Sequence, residues 1–174
     1  MSSGQRAVSN SSPLIWLAKI NRLALLKTLF GEVIIPRKVH HETTQGKSAD
    51  SILIEKAVEE GWLKVSEEET NQAHALAEVS GIHLGEAEAI LLAQKLGTEL
   101  IIDEREASAT AQVFGVRPIG TVAILLLALA KNQLTPNEFK ECLDLLIASG
   151  FWLTVDVYKK ALEKAQSTAN NEER

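Results

Sequence analysis

The chain alternates between short apolar runs and longer segments in which apolar residues recur every three or four positions. The runs "RAVSN", "EVIIP", "WLKV", "TELIID" and "VRPIG" have the length and content of short strands. Between them lie segments such as "RLALLKTLF" and "GEAEAILLAQKLG", whose apolar spacing is that of helices. Strands and helices that alternate with short connections predict an α/β domain with a mostly parallel central sheet.

The same pattern predicts where most helices begin and end. A helical hairpin follows the first strand, breaks near Asn21 and ends at Gly31. Thr135, Pro136 and Glu138 form the start of another helix, as cap, first residue and capping-box partner. The remaining helices are expected over 36–44, 50–60, 68–80, 85–97, 104–115, 121–130 and 156–165.

The last part of the folded domain is expected to contain one more strand, and the two ends of the chain are expected to lie outside the domain. "FWLTV" at 151–155 alternates in hydrophobicity and predicts an additional outer strand. The tail "QSTANNEER" is expected to fray, as is the leader before the first strand. We therefore predict one domain over 7–166 with flexible termini at 1–6 and 167–174.

Composition narrows the class of protein. The chain has 174 residues, enough for one domain with a sizeable core, and a single cysteine, Cys142, which excludes an internal disulfide. "MSSGQRAVSN" has no long apolar run, so we expect no export and a cytoplasmic location. The most apolar segment, "TVAILLLALA", is about half the roughly 20 residues of a membrane span, so no membrane association is predicted.

The net charge of −5 argues against a generic basic surface for nucleic acid. A polyanion would have to be bound by local cations. Arg37, Lys38 and Arg105 are the candidates for such contacts, although each is also typical of ordinary solvated surface.

Four polar side chains stand at the ends of elements where a parallel sheet binds ligands. Asn10 and Asp103 each follow a short strand, and the carboxyl ends of parallel strands share one edge of the sheet. Glu42 lies three residues after Val39 on a helix, and Glu86 opens a helix with an apolar face. Converging carboxylates repel each other unless a cation lies between them, and oxygen ligands suit Mg²⁺ or Mn²⁺.

Each of these residues also has a purely structural interpretation. Asp103 could cap a helix, Glu86 could favour a helix dipole, Glu42 could be surface, and Asn10 could form a turn. Zinc is not supported, because no cysteine pair or spaced histidine set is present and His83 is expected in the loop before a helix. The case for a metal site depends on all four residues together.

These segments together resemble the PIN-domain family, in particular short prokaryotic members related to VapC-type toxins. The resemblance covers about Ala7 to Ala165, and its motifs are "VSNSSPLIWLAKINRLALL", "VIIPRKVHHE", "LGEAEAILLAQKLG", "LIIDEREASATA" and "GVRPIGTVAILLLA". It implies a Rossmann-like three-layer α/β/α sandwich with an acidic pocket. It also implies Mg²⁺- or Mn²⁺-dependent cleavage of single-stranded RNA, often by the toxin of a toxin–antitoxin pair.

Carried over by position, the resemblance assigns roles to individual residues. The first of the family's four acidic positions falls on Asn10. The other three fall on Glu42, Glu86 and Asp103, and the resemblance implies that these three are catalytic residues and metal ligands. The pocket edge would contain Asn10, Ser11, Ser12, Glu104 as a helper to Asp103, and Thr121. The resemblance also implies an antitoxin protein or a second copy of the chain as partners, although Leu23, Leu26 and Phe30 are expected in the core.

The departure at Asn10 leaves two functional interpretations open. An amide has the shape of a carboxylate but no charge, and unit charges about 4 Å apart interact by roughly 4 kcal/mol at an effective dielectric of 20. Metal affinity should therefore fall. The first interpretation is a metal-dependent ribonuclease, and the second is a catalytically weakened PIN-like module that binds nucleic acid or protein.

Overall fold

The computed structural model describes residues 5–68 and 71–172, with side chains through residue 167. Five strands form one parallel sheet in the order β3-β2-β1-β4-β5. In the register of the sheet, Val8 of β1 lies between Ile34 of β2 and Leu100 of β4. The strands are β1 (Arg6–Ser9), β2 (Glu32–Pro36), β3 (Leu63–Ser66), β4 (Glu99–Ile101) and β5 (Pro118–Ile119).

Helices connect and cover the strands. The described part of the chain contains α1 (Ser11–Lys19), α2 (Ala24–Phe30), α3 (Arg37–Thr44), α4 (Ala49–Glu59), α5 (Ala73–Ser80), α6 (Leu84–Leu96), α7 (Arg105–Val113), α8 (Thr121–Ala130), α9 (Pro136–Ala148) and α10 (Val155–Glu172). The fold is a three-layer α/β/α sandwich, as the sequence predicted.

The core consists of two hydrophobic clusters, one on each face of the sheet. Successive strand residues point to opposite faces, so Ala7 packs with α1, α2, α8 and α9 while Val8 packs with α6 and α7. In β4, Ile101 belongs to the same cluster as Ala7, and Leu100 belongs to the same cluster as Val8. Because both faces are covered, the strands are near-continuous apolar runs, as the sequence indicated.

Several local predictions are confirmed. Asn21 has φ of 55° between α1 and α2, and Gly31 has φ of 72° at the end of the hairpin. The capping box of α9 is present, with the Thr135 hydroxyl and the Glu138 carboxylate each accepting a backbone N–H from the other residue. Leu23, Leu26, Phe30 and Cys142 are buried in the core. No helix in residues 5–68 and 71–172 has the length and apolar character needed to cross a membrane.

The predicted outer strand at 151–155 is wrong. Residues 151–154 have no regular structure, and α10 begins at Val155. The alternation is real, since Phe151 and Leu153 pack against the core while Trp152 is 82% exposed. The segment pairs with no strand, and Phe151 instead packs edge-on against Trp16 of α1, with ring centroids 5.4 Å apart.

Most element boundaries shift by one or two residues, and three further differences concern the helix at 68–80 and the two ends of the chain. The helix expected over 68–80 begins only at Ala73, and its predicted residues 69–70 lie outside the described part. The tail expected to fray continues as α10 to Glu172, since "QSTANNE" contains neither glycine nor proline to end a helix. Arg6, which belongs to the predicted strand "RAVSN" but lies outside the predicted domain bounds, is the first residue of β1; residues 1–4 and 173–174 lie outside the described part.

Candidate active site

A cavity of about 500 Å³ opens at the carboxyl ends of β1, β2 and β4. The first turns of α1 and α6 contribute to its wall, so backbone N–H groups and the positive ends of two helix dipoles lie near it. Such an environment stabilises negative charge. The residues that line the cavity are Asn10, Ser11, Ser12, Lys38, Glu42, His83, Leu84, Glu86 and Glu104.

The turn from β1 into α1 supplies three polar side chains to this cavity. Asn10 has an extended backbone at the N-cap of α1, and its N–H donates to the carbonyl of Ile101 in β4 at 2.9 Å. Its side chain does not cap the helix; its Nδ2 donates to Glu104 Oε2 at 3.1 Å. The polar residues between strand and helix therefore bind carboxylates: the Ser11 hydroxyl donates to Glu42 Oε2 at 2.8 Å, and the Ser12 hydroxyl donates to Glu104 Oε1.

Glu86 is the most buried carboxylate of the cavity, with 6% of its surface exposed. It lies on the first turn of α6, in line with the buried Ala89 and Ile90 as the sequence predicted. Its Oε2 accepts the backbone N–H of His83 at 2.9 Å. Glu86 therefore both accepts the N-cap N–H at the start of α6 and lines the cavity.

Glu42 reaches the cavity from α3 and remains exposed to solvent. Val39, three residues earlier, is fully buried, which confirms the predicted inward side of this helix. Lys38 Nζ lies 3.9 Å from Glu42 Oε1, an exposed pair that contributes little to stability. A Cβ on Gly85 would lie 3.2 Å from Glu42 Oε2, so the absence of a side chain there allows the carboxylate to lie against α6.

The consecutive acids Asp103 and Glu104 have different environments. Asp103 accepts two hydrogen bonds of 2.7 Å from Thr121, one from the backbone N–H to Oδ1 and one from the hydroxyl to Oδ2. Thr121 is fully buried at the start of α8, and a Cβ on the preceding Gly120 would lie 3.2 Å from Asp103 Oδ1. Asp103 does not line the cavity, whereas Glu104 does.

Burial and like charges raise the pKa of two acids at this edge of the sheet. The pKa of Glu86 is raised chiefly by burial and further by the charges of Glu104 and Glu42, against the lowering effect of the His83 N–H. The pKa of Asp103 is raised chiefly by burial and further by the charge of Glu104, against the lowering effect of the two Thr121 hydrogen bonds. Glu42, Glu86 and Glu104 therefore form one electrostatic group.

The structure brings together most of the predicted site. Asn10, Ser11, Ser12, Glu42, Glu86 and Glu104 share one cavity, whereas Asp103 and Thr121 bind each other and do not line it. Of the predicted substrate contacts, Lys38 lines this cavity and a neighbouring one that also contains Arg37, while Arg105 is exposed on the first turn of α7.

Sequence reasoning assigned no role to His83, which also lines the cavity. The prediction that it precedes the helix is confirmed, because His83 is the N-cap of α6. The available signal was its position three residues before Glu86, which is the spacing of a cap and its capping-box partner.

The donor chemistry of the cavity fits a hard divalent cation. In residues 5–68 and 71–172, no group of three or more histidine, cysteine, aspartate or glutamate side chains already has metal-binding geometry. The acids that line the cavity nevertheless offer only oxygen donors, as Mg²⁺ and Mn²⁺ prefer. Burial raises the pKa of Glu86 most, and a cation among the acids would offset the further rise that the charges of Glu104 and Glu42 cause.

A five-stranded parallel sheet between helical layers, with acids at the carboxyl ends of its strands, defines an open α/β domain with an acidic ligand edge. A family model described as a PIN domain matches residues 6–167. The chain therefore belongs to the PIN-domain family, as the resemblance indicated. A search of curated proteins found no match to the chain.

Proposed function

We propose that the protein is a metal-dependent endoribonuclease that hydrolyses phosphodiester bonds in single-stranded RNA. The observation that carries the proposal is the shared cavity of Glu42, Glu86 and Glu104 at the carboxyl edge of a PIN-domain sheet. Ligands of open parallel sheets bind at this edge, and the family has a nuclease-type fold.

Glu42, Glu86 and Glu104 would hold a Mg²⁺ or Mn²⁺ ion, with Asp103 as a further ligand predicted from the resemblance. When bound, such an ion polarises a phosphate and lowers the pKa of a bound water. Ser11 and Ser12 orient two of the carboxylates through their hydroxyls. Asp103, the residue before Glu104, accepts two hydrogen bonds from Thr121 at the start of α8 and so ties this part of the chain to that helix.

The substrate backbone would be bound by cations around the acidic cavity. Lys38 is placed best, because it lines both the active-site cavity and the neighbouring one that contains Arg37. Arg105 adds an exposed charge on the next residue after Glu104. With a net charge of −5, the chain would bind RNA through these local contacts rather than through a broad basic surface.

A second candidate function is a PIN-like module that binds RNA or protein without cleaving it. Two observations favour it. Asn10 is neutral at the first acidic position, and its amide is already engaged by Glu104 at 3.1 Å. No ready three-ligand geometry is present in the described residues. In this function the serines and Asn10 would hold the carboxylates in place of a metal ion.

The proposed function also suggests where the protein acts and which partners it has. We propose a cytoplasmic protein that acts on RNA, either as the toxin of a toxin–antitoxin pair with an antitoxin partner or on its own. Self-association as a homodimer is also proposed from the family. Leu23, Leu26 and Phe30 would not form such an interface, because they are buried.

The test is cleavage of a labelled single-stranded RNA with Mn²⁺, with Mg²⁺ and with chelator. The wild type should cleave only with a divalent ion, and Glu86→Gln should slow cleavage by about a hundredfold. Glu141→Gln is the matched control, since it makes the same change at an exposed position of α9 and lines neither this cavity nor the neighbouring one; it should stay within about twofold of the wild type.

Two results would decide against the enzyme. RNA binding without cleavage under any metal condition would support the binding module. Cleavage that survives Glu86→Gln and chelator would place the chemistry elsewhere or in a contaminating nuclease.

A further inference from the structure

Most donor groups that line the active-site cavity are already used by its carboxylates. The three polar side chains of the turn from β1 into α1 donate to Glu42 and Glu104. Lys38 Nζ lies 3.9 Å from a Glu42 oxygen. His83 lines the same cavity, and in the described part of the chain its ring forms no ion pair with an acid. The ring is therefore the side-chain donor that remains for a ligand.

The backbone of His83 has a fixed position at the wall of the cavity. His83 is the N-cap of α6, with φ of −73° and ψ of 155°, and its N–H donates to Glu86 Oε2 at 2.9 Å. Ile82 before it is buried in the core, and Leu84 after it lines the cavity. The His83 side chain itself is exposed. A ligand can therefore reach the ring from the solvent side without any movement of the helix.

The capping box at the start of α6 indicates which ring nitrogen of His83 can donate. One ring nitrogen faces the Glu86 N–H, toward which it can act only as an acceptor. In a neutral imidazole the proton is then on the other nitrogen. An N–H donor is therefore available on the ring without a change in protonation.

A phosphodiester is the ligand that matches this donor. Its non-bridging oxygens accept hydrogen bonds and donate none, so a bound RNA backbone needs N–H or O–H groups of the protein. The acids of the cavity repel a phosphate, whereas the positive end of the α6 dipole, where His83 lies, attracts it. His83 therefore combines a remaining donor with the part of the cavity wall that favours negative charge.

We propose that His83 is a substrate-binding residue whose ring N–H donates a hydrogen bond to a non-bridging phosphate oxygen of single-stranded RNA in the active-site cavity. The inference rests on the proposed function for the class of ligand, and it adds a contact on the substrate side that is separate from the metal ligands. A phosphate contact carries no sequence information, so His83 should contribute equally to the binding of different RNA sequences.

The test is fluorescence anisotropy of labelled oligouridine and labelled oligoadenosine, each titrated with the full chain in Ca²⁺. Ca²⁺ also takes oxygen ligands, and a gel measures the RNA that stays uncut. His83→Ser removes the ring but keeps a favoured N-cap residue, so the start of α6 is preserved. The variant should bind both RNAs about tenfold more weakly than the wild type, which is the effect of one hydrogen bond to a charged group.

Two matched variants show whether the hydrogen bond causes the loss. His83→Gln has an amide N–H on a side chain long enough to replace the far ring nitrogen, so both RNAs should bind within about threefold of the wild type. Gln112→Ser introduces serine at an exposed position of α7 that lines neither the active-site cavity nor the neighbouring one. It should leave RNA affinity within about twofold.

A separate measurement distinguishes a substrate contact from a metal ligand. Calorimetric titration should give His83→Ser a Mn²⁺ affinity within about twofold of the wild type, because the ring contacts the phosphate and not the ion. A larger loss of Mn²⁺ affinity would make His83 a metal ligand and overturn the proposal.

Two RNA-binding results would also overturn it. The first is equal RNA affinity for His83→Ser and the wild type. The second is a loss with only one of the two RNAs, which would indicate a contact with a base.

The outcome can be separated from that of the proposed function. If the wild type binds RNA but cleaves none in Mn²⁺, the ribonuclease proposal fails, while a tenfold loss in His83→Ser still supports the phosphate contact. If the wild type cleaves RNA and His83→Ser binds it equally well, the ribonuclease proposal stands and the role of His83 fails. A wild type that binds neither RNA would contradict both.

Discussion

Asp103 and Glu104 are neighbours in the chain but belong to two differently built regions. Asp103 is part of an anchor in which both its oxygens are bound by Thr121 at the start of α8. Glu104 is part of the cavity, where Asn10 and Ser12 from the first strand–helix turn donate to it. The anchor is closed by short hydrogen bonds to a buried residue, and the cavity is open to solvent.

Because of this difference, we expect Asp103 to contribute mainly to the stability of the fold and Glu104 mainly to cation binding. Removing an acid from the anchor leaves buried donors without a partner, which costs free energy of folding. Removing an acid from the cavity relieves repulsion among like charges and should cost mainly affinity for a cation. The following predictions test this division, beginning with the largest expected effect.

Asp103→Ala should lower the free energy of unfolding by about 2 to 3 kcal/mol, because the Thr121 N–H and the buried hydroxyl both lose their acceptor. Glu104→Ala is the matched change in the cavity; it leaves the Asn10 and Ser12 donors without an acceptor but relieves repulsion among the carboxylates, so it should cost less than Asp103→Ala. Urea denaturation of both variants measures the difference. Equal losses would show that the two acids are not divided in this way.

Asn10→Asp should destabilise the metal-free protein by about 1 kcal/mol, since a carboxylate would replace the amide that donates to Glu104 at 3.1 Å. In Mn²⁺ the same variant should bind the ion about tenfold more tightly than the wild type, because the cavity gains a negative charge. Thermal melting with and without Mn²⁺ measures both effects. A Mn²⁺ affinity equal to that of the wild type would show that Asn10 is remote from the ion.

The raised pKa of Glu86 predicts a particular pH dependence. Between its ordinary pKa of 4.5 and its raised folded value, the folded state binds more protons at Glu86 than the unfolded state does. The free energy of unfolding should therefore fall as pH rises through this window. Glu86→Gln removes this contribution, so the wild type should lose more stability than the variant as pH rises. Parallel pH profiles would mean that Glu86 is not desolvated as described.

Gly85→Ala should have the smallest effect. Alanine favours a helix over glycine, so the free energy of unfolding should rise by up to about 0.5 kcal/mol. The new Cβ would lie 3.2 Å from Glu42 Oε2, so this exposed carboxylate must shift slightly and Mn²⁺ affinity should fall by about twofold. Gly81→Ala is unsuitable as a control, because Gly81 has φ of 65°. Calorimetric titration of Mn²⁺ into the wild type and Gly85→Ala would detect the change in affinity. A higher Mn²⁺ affinity in Gly85→Ala would contradict the prediction.

The sequence predicted the sheet and most helices because their signals are local. Buried parallel strands are short apolar runs, and Thr135 with Glu138 specifies a helix start within four residues. The strand predicted at 151–155 failed because alternation shows only which side chains are buried. Whether a neighbouring strand is available for pairing depends on the whole fold, and the short, proline-containing β5 is the edge of the sheet.

The sequence predicts which elements carry the site residues, but it does not predict the direction in which each side chain points. Parallel strands place Asn10 and Asp103 at one edge, and helix spacing places Glu42 and Glu86 on inward faces. The sequence could not show that Asp103 binds Thr121 while Glu104 lines the cavity, because both follow β4 and their directions depend on where α8 begins.

The most direct test compares Mn²⁺ binding by the wild type, Glu104→Gln and Asp103→Asn in calorimetric titrations. Both variants remove one charge, and asparagine keeps one acceptor for Thr121, so folding is preserved well enough to compare affinities. If the cavity holds the ion, Glu104→Gln should weaken Mn²⁺ binding by about tenfold and Asp103→Asn by less. A loss confined to Asp103→Asn, or wild-type affinity in both variants, would contradict a metal site built from Glu42, Glu86 and Glu104.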